Sequence, residues 1–161
     1  MNARSISAIC GLVALSVGLT APAARADDQN KQSVTVAFGA GLNTISAGAA
    51  NHHVLPEIIK VKTGGVVNFV VAGFHQIYVY LPGTKPGDLV VPPTGTFIND
   101  DTNLYYKGLV PGATSTTFST TQNRVESVSF SEPGTYLVIC NVRGHFLNGM
   151  IAYVEVTGGD K

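Results

Sequence analysis

Apolar and polar positions alternate along most of this chain in short runs, each closed by glycine or proline. Residues 33–38 alternate and predict a first strand, and residues 57–62 a second. Thr63, Gly64 and Gly65 form a two-glycine turn that predicts a hairpin into residues 66–71, a continuous apolar run suited to a sandwich core. Residues 75–81 make another strand, ended by Pro82 and Gly83. From there to residue 103, Pro86, Pro92 and Pro93 sit among Gly83, Gly87 and Gly95, which predicts a long irregular excursion. Residues 104–107 read as a short strand, 110–112 as a turn and 114–121 as an edge strand or loop. Residues 124–130 alternate cleanly. Pro133 and Gly134 then open the apolar run 136–140, and 150–156 is the last strand. Beyond the N-terminal segment, no stretch longer than eight residues has a helical period. The fold class is therefore all-β, a Greek-key β-sandwich of about seven to eight strands.

The first 26 residues break this pattern and read as an export signal. Arg4 gives the positive start, residues 6–19 the apolar core, and Ala24-Arg25-Ala26 a small-residue cleavage site before Asp27. An uncleaved anchor is the alternative, but fourteen apolar residues fall short of the roughly 20 that span a bilayer. The expectation is a single domain over residues 27–161, located in the periplasm or otherwise exported, with residues 27–33 as a polar tail and 39–50 as a glycine-rich loop. Arg4 and Arg25 would leave with the signal, so eight basic residues remain against ten acidic ones. Nothing in that balance resembles the clustered basic face of a nucleic-acid binder.

Removal of the signal also takes Cys10 and Met1, leaving Cys140 and Met150 as the only cysteine and methionine of residues 27–161. A lone cysteine in an exported chain has no internal disulfide partner and flags a reactive or metal-bound thiol, a buried structural cysteine being the plain alternative. Cys140 ends one strand, Met150 starts the next, and His145 lies between them. Thiolate and thioether select Cu(I), imidazole suits both copper oxidation states, and a trigonal His₂Cys set with a weak axial Met is a copper site. The set needs one more imidazole, and His75, between two apolar strands, is the candidate, though a lone core histidine is the plainer reading of that residue. Zinc fits less well, because a structural zinc site prefers four Cys or His ligands.

The distal His75 and the Cys140-x4-His145-x4-Met150 spacing, preceded by Pro133-Gly134-Thr135-Tyr136, resemble the cupredoxins, the small blue copper proteins. The resemblance implies a sandwich with cupredoxin strand order, one type 1 copper per chain, and His75, Cys140, His145 and Met150 as its ligands. Family members often carry Asn directly after the first ligand histidine, bracing the two ligand loops; this chain has Gln76.

The function expected is single-electron transport by Cu(I)/Cu(II) cycling between redox protein partners, by a monomer with no stable membrane insertion. The alternative is a copper carrier or storage protein. His52 and His53 bear on that choice: they could capture or bind a second metal, but two neighbours alone give incomplete coordination, and solvated side chains are the simpler expectation. No enzyme is expected. Copper oxidases and reductases of this kind need further histidine clusters, and no His-x-His occurs in the chain. Cys140 and His145 could mimic a nucleophile–base pair, yet Met150 and the strand–loop–strand setting fit a metal site better. Phe146 and Leu147 are expected to form an apolar surface patch beside His145, where a redox partner would dock.

Overall fold

A computed structural model describes residues 32–40, 52–112 and 123–158. The expected export signal, the polar tail up to residue 31, the glycine-rich stretch from residue 41 and the segment 114–121 lie outside the described residues. Among the described residues the alternating runs form nine strands in two facing sheets. One sheet holds β1 (Ser33–Gly39), β2 (Val54–Leu55), β4 (Gly65–Ala72) and β7 (Asn123–Phe130), in the order β2-β1-β4-β7. The other holds β3 (Ile58–Lys62), β5 (Ile77–Tyr80), β6 (Leu104–Lys107), β8 (Gly134–Cys140) and β9 (Ile151–Thr157), in the order β3-β9-β8-β5-β6. β1 runs parallel to β4 and β3 parallel to β9; the other pairs are antiparallel. This is the all-β sandwich that the periodicity predicts. Its count exceeds eight because the two-residue β2 pairs on the edge of β1.

The core lies between the sheets and takes every second side chain of each strand. β4 shows this best: its sequence is apolar apart from Gly65 and Asn68, yet only Val67, Phe69 and Val71 of its valines and phenylalanine point fully inward, while Val66 and Val70 are half-buried. Phe38, Phe69, Phe130 and Tyr136 fill the centre, with Phe38 edge-on to Phe69 and Phe130 edge-on to Tyr136.

One expectation fails. The two-glycine turn forms, with Gly64 at φ 81°, but β3 and β4 do not make a hairpin. The Thr63 N–H donates to Thr157 O at the end of β9, and the Gly64 N–H to Phe130 O of β7. The turn is thus tied to both sheets and carries the chain from one layer to the other. Gly65 is required there, since a Cβ would lie 2.8 Å from both the Gln32 and Lys62 carbonyl oxygens.

β8 and β5 are buried on both faces, which explains their unbroken apolar runs. Tyr136, Val138 and Cys140 point into the main core, while Leu137 and Ile139 join Tyr78, Tyr80, Ile98 and Phe146 on the opposite face. That second layer is supplied by the irregular excursion after Leu81. Burying Leu137 and Ile139 beneath it contributes about 1.5–3 kcal/mol each. Asp100 pins the excursion: its carboxylate accepts the Val90 and Thr102 N–H groups at 2.8 and 2.9 Å, and its carbonyl accepts the Tyr80 hydroxyl at 2.8 Å.

Candidate metal centre

Three chain segments meet at one end of the sandwich. Cys140 is the last residue of β8, opposite Ile77 of β5, and its N–H donates to Met150 O at 3.1 Å. His75 sits just before β5, its N–H turned back to Gly73 O. After Cys140 the chain makes one short helix, α1 (Arg143–Leu147), which carries His145 and ends as Asn148 turns toward Met150. This stretch, expected as a loop, is helical, and its five residues are too few to leave a period in the sequence.

The helix and strands bring His75, Cys140 and His145 together, their ligand atoms all within 4.8 Å of one another. Cys140 Sγ lies 3.6 Å from His75 Nδ1 and 3.6 Å from His145 Nδ1, and the two nitrogens are 3.0 Å apart. The centre of that triangle is about 2 Å from each donor, against bonds of about 2.0–2.1 Å to nitrogen and 2.3 Å to sulfur at such metals. The donors therefore fit a trigonal ion. Met150 is fully buried in the same core and is bonded through its backbone to both Cys140 and His145, whose carbonyl accepts the Met150 N–H at 3.0 Å.

The protonation states suit a cation. Burial, then the neighbouring His145, His52 and Arg124, hold the His75 imidazole down at about 3. Burial and His52 hold His145 at about 4. Both rings are neutral near pH 7, so each carries a nitrogen lone pair that can coordinate. Burial pushes the Cys140 thiol up to about 12, opposed by the Gln76 and Val142 N–H groups and the Arg124 charge. A metal binding there must displace that proton. The two N–H groups come one from each ligand segment and already point at the sulfur.

Around the donors lies a shell the sequence reading missed or left unsettled. Gln76 does bridge the ligand segments: its Oε1 accepts from Asn141 Nδ2 at 2.7 Å, its Nε2 donates to Gly108 O at 2.8 Å, and its carbonyl accepts the Asn141 N–H at 2.7 Å. Asn141 extends the link to the excursion, since the Asn99 N–H donates to its Oδ1 at 2.9 Å. The Arg143 N–H and Nε bond to Thr96 O and Pro92 O in the same way. On the other side, Arg124 donates to His75 O at 3.1 Å and Leu109 O at 2.9 Å and pairs with Glu126, the two side chains only 7% and 3% exposed. Glu126 also accepts the Tyr106 hydroxyl at 2.7 Å. Two charged residues at i and i+2 on β7 face the core while Val125 between them faces solvent, the reverse of the usual alternation. That inversion was the one sequence signal for the pair.

Gly39, at φ 90°, allows the approach of His75. A Cβ there would lie 2.5 Å from His75 Nε2 and 2.5 Å from Ala72 O.

The outer side is different. Phe146 and Leu147 divide: Phe146 tucks into the second layer and Leu147 is 56% exposed. His53 is exposed as expected, but His52 is not a solvated side chain. Its ring stacks on His145, centroids 3.8 Å apart and planes at 22°, and its Nδ1 receives Asn148 Nδ2 at 2.9 Å.

No protein-family model matches the chain, and no curated protein sequence matches it. Solved structures similar to it include dithionite-reduced auracyanin from the photosynthetic bacterium Roseiflexus castenholzii, at 21% identity over 78% of this chain and 96% of that one, TM-score 0.48. Oxidized plastocyanin from Dryopteris crassirhizoma is 19% identical over 77% of this chain and 100% of that one, TM-score 0.44. A purple cupredoxin from Nitrosopumilus maritimus is 11% identical over 77% and 99%, TM-score 0.42.

Proposed function

We propose that this chain is an exported copper protein in which His75, Cys140 and His145, with Met150 as a further donor, would hold one ion, and that it passes single electrons between redox protein partners. The observation that carries the reading is the triangle itself: one thiol sulfur and two neutral imidazole nitrogens, 3.0–3.6 Å apart, converge at the end of a buried strand pair. Thiolate with two imidazoles is a donor set that selects copper and tolerates both of its common oxidation states. Bound there, copper would supply the one-electron couple.

The residues of the chain supply everything else. Cys140 and His75 are held by core strands and by the Gln76–Asn141 and Arg124 hydrogen bonds, so the donors keep one arrangement through a redox cycle. The Gln76 and Val142 N–H groups stabilise the thiolate charge. The second layer excludes water from behind. His145, on the outer helix, is the one half-exposed donor of the three and offers the short path outward. Such a closed, braced cage suits retention of the ion better than hand-over to an acceptor, which favours the electron carrier over the copper carrier.

Visible and electron-paramagnetic spectra of the copper-loaded chain test the reading. An intense thiolate-to-Cu(II) charge-transfer band with narrow copper hyperfine splitting is expected. Weak absorption with the wide splitting of a tetragonal nitrogen–oxygen site would overturn it.

A further inference from the structure

His52 is 93 positions from His145 in sequence, yet it makes the closest ring contact of the centre. Its position is fixed from two directions. On its own side, the His53 carbonyl accepts the Gly39 N–H at 2.9 Å, and Val54, buried beside it, pairs with Phe38 across β1 and β2. Across the gap, Asn148 at the end of α1 donates to His52 Nδ1. The ring therefore ties the β1–β2 edge to the helix that carries His145. It also stands edge-on to His75, with centroids 6.1 Å apart. His145 needs such support. Its helix has only five residues and no side-chain cap at its start, and the other imidazole beside it, His75, meets it tilted at 59° with centroids 4.7 Å apart, a looser contact than the His52 stack.

We propose that His52 is the positioning residue of the outer side: its ring sets the plane of His145 by face-to-face stacking, and its bond to Asn148 holds α1 against the β1–β2 edge. His145 Nδ1 is thereby kept aimed at the point it shares with His75 and Cys140. The stack is the active feature, so any flat ring at position 52 would preserve the His145 plane and an aliphatic side chain would not. The loaded-state consequences rest on the copper reading; the ring geometry does not.

The test compares the intact chain with His52→Phe and His52→Ala. In the metal-free proteins, nuclear magnetic resonance of the His145 ring protons reads the stack directly through its ring current. The His52→Ala variant should lose that shift and His52→Phe should keep it, with circular dichroism melts equal for all three. After loading with Cu(I), His52→Ala should bind about tenfold or more weakly, as loss of a ligand-orienting partner does elsewhere. Oxidised to Cu(II), it should show an altered hyperfine splitting and reduction potential, and His52→Phe should restore both toward the parent. Unshifted His145 resonances in His52→Ala, or a His52→Phe variant indistinguishable from His52→Ala, would overturn the proposal. A parent chain lacking the thiolate charge-transfer band would instead sink the copper reading, and the metal-free resonances would still decide the role of His52.

Discussion

The two sides of the candidate metal centre are built differently. On the inner side, His75, Cys140 and Met150 are 3%, 0% and 0% exposed and sit on or next to core strands, with Gln76, Asn141 and Arg124 bonding the backbone around them. On the outer side, His145 rides on a five-residue helix between His52 and the exposed Leu147. The inner donors are braced by buried packing and by hydrogen bonds from three side chains, whereas the outer face of His145 is covered by the His52 ring, itself bonded to Asn148. A donor that must discriminate metals belongs where nothing moves. A donor that must communicate with another protein belongs at an edge. The comparison predicts that changes on the inner side act on the metal and the fold, and changes on the outer side act on exchange with partners.

The largest effect should come from Cys140→Ser. A hydroxyl cannot replace the soft thiolate, so the visible charge-transfer band should vanish and copper affinity should collapse. A Ser variant that kept the band would place the ion elsewhere. The next effect is on the brace. Gln76→Asn shortens by one methylene the amide that now reaches both Gly108 O and Asn141. It should leave a buried polar group unsatisfied and cost about 1–3 kcal/mol in urea unfolding. Because the Asn141→Ala variant cuts the same network, the double variant should lose less than the sum of the two. Equal and additive losses would mean that the two amides act separately. Smaller again is Met150→Leu. The side chains are close in volume, so stability should fall by less than about 1.5 kcal/mol. Copper should be retained with a higher reduction potential, since the reduced ion tolerates lower coordination. Voltammetry of the loaded variant reads this, and outright loss of the metal would show that Met150 does more than tune.

The same contrast explains what the sequence made legible. The spacing of Cys140, His145 and Met150 was readable because strand ends are marked by Pro133, Gly134 and the apolar runs on either side. The 104–107 strand emerged with its bounds as read, because its turn signals are local. What failed or went unseen was long-range. The residues of a two-glycine turn announce a reversal but not which sheet each flanking strand joins, so β3 and β4 read as a hairpin. The excursion after Leu81 looked formless because its order comes from distant partners, Asn141 and Arg143 among them. Gln76 departs from the residue that the resemblance leads one to expect, yet its longer amide spans the same gap between the ligand segments. His52 read as solvated because nothing near it in sequence could reveal the ring it lies on. Phe146 and Leu147 read as a pair, but neighbours on a helix point about 100° apart, so one faces inward and the other solvent.

That division makes Leu147 the cleanest probe of the outer side. Phe146 is held in the second layer with Tyr78, Tyr80 and Ile139, so it is part of the fold and unsuited to testing contact with a partner. Leu147 is exposed, two residues from His145, and packs in neither buried cluster. Leu147→Glu should change stability by no more than about 0.5 kcal/mol, the usual range for exposed substitutions. It should leave the copper spectrum unchanged, because no ligand or ligand-bonding group is touched. If electrons leave through His145, a carboxylate there must be desolvated when a partner docks, and the bimolecular rate of electron exchange should fall. The fall should be greatest with a negatively charged partner at low salt and should shrink as ionic strength rises, since the Debye length drops to about 8 Å at physiological salt. Stopped-flow rates at several salt concentrations read both the size and the screening. An unchanged rate, with the copper spectrum intact, would mean that partners meet the centre somewhere other than at the His145 edge.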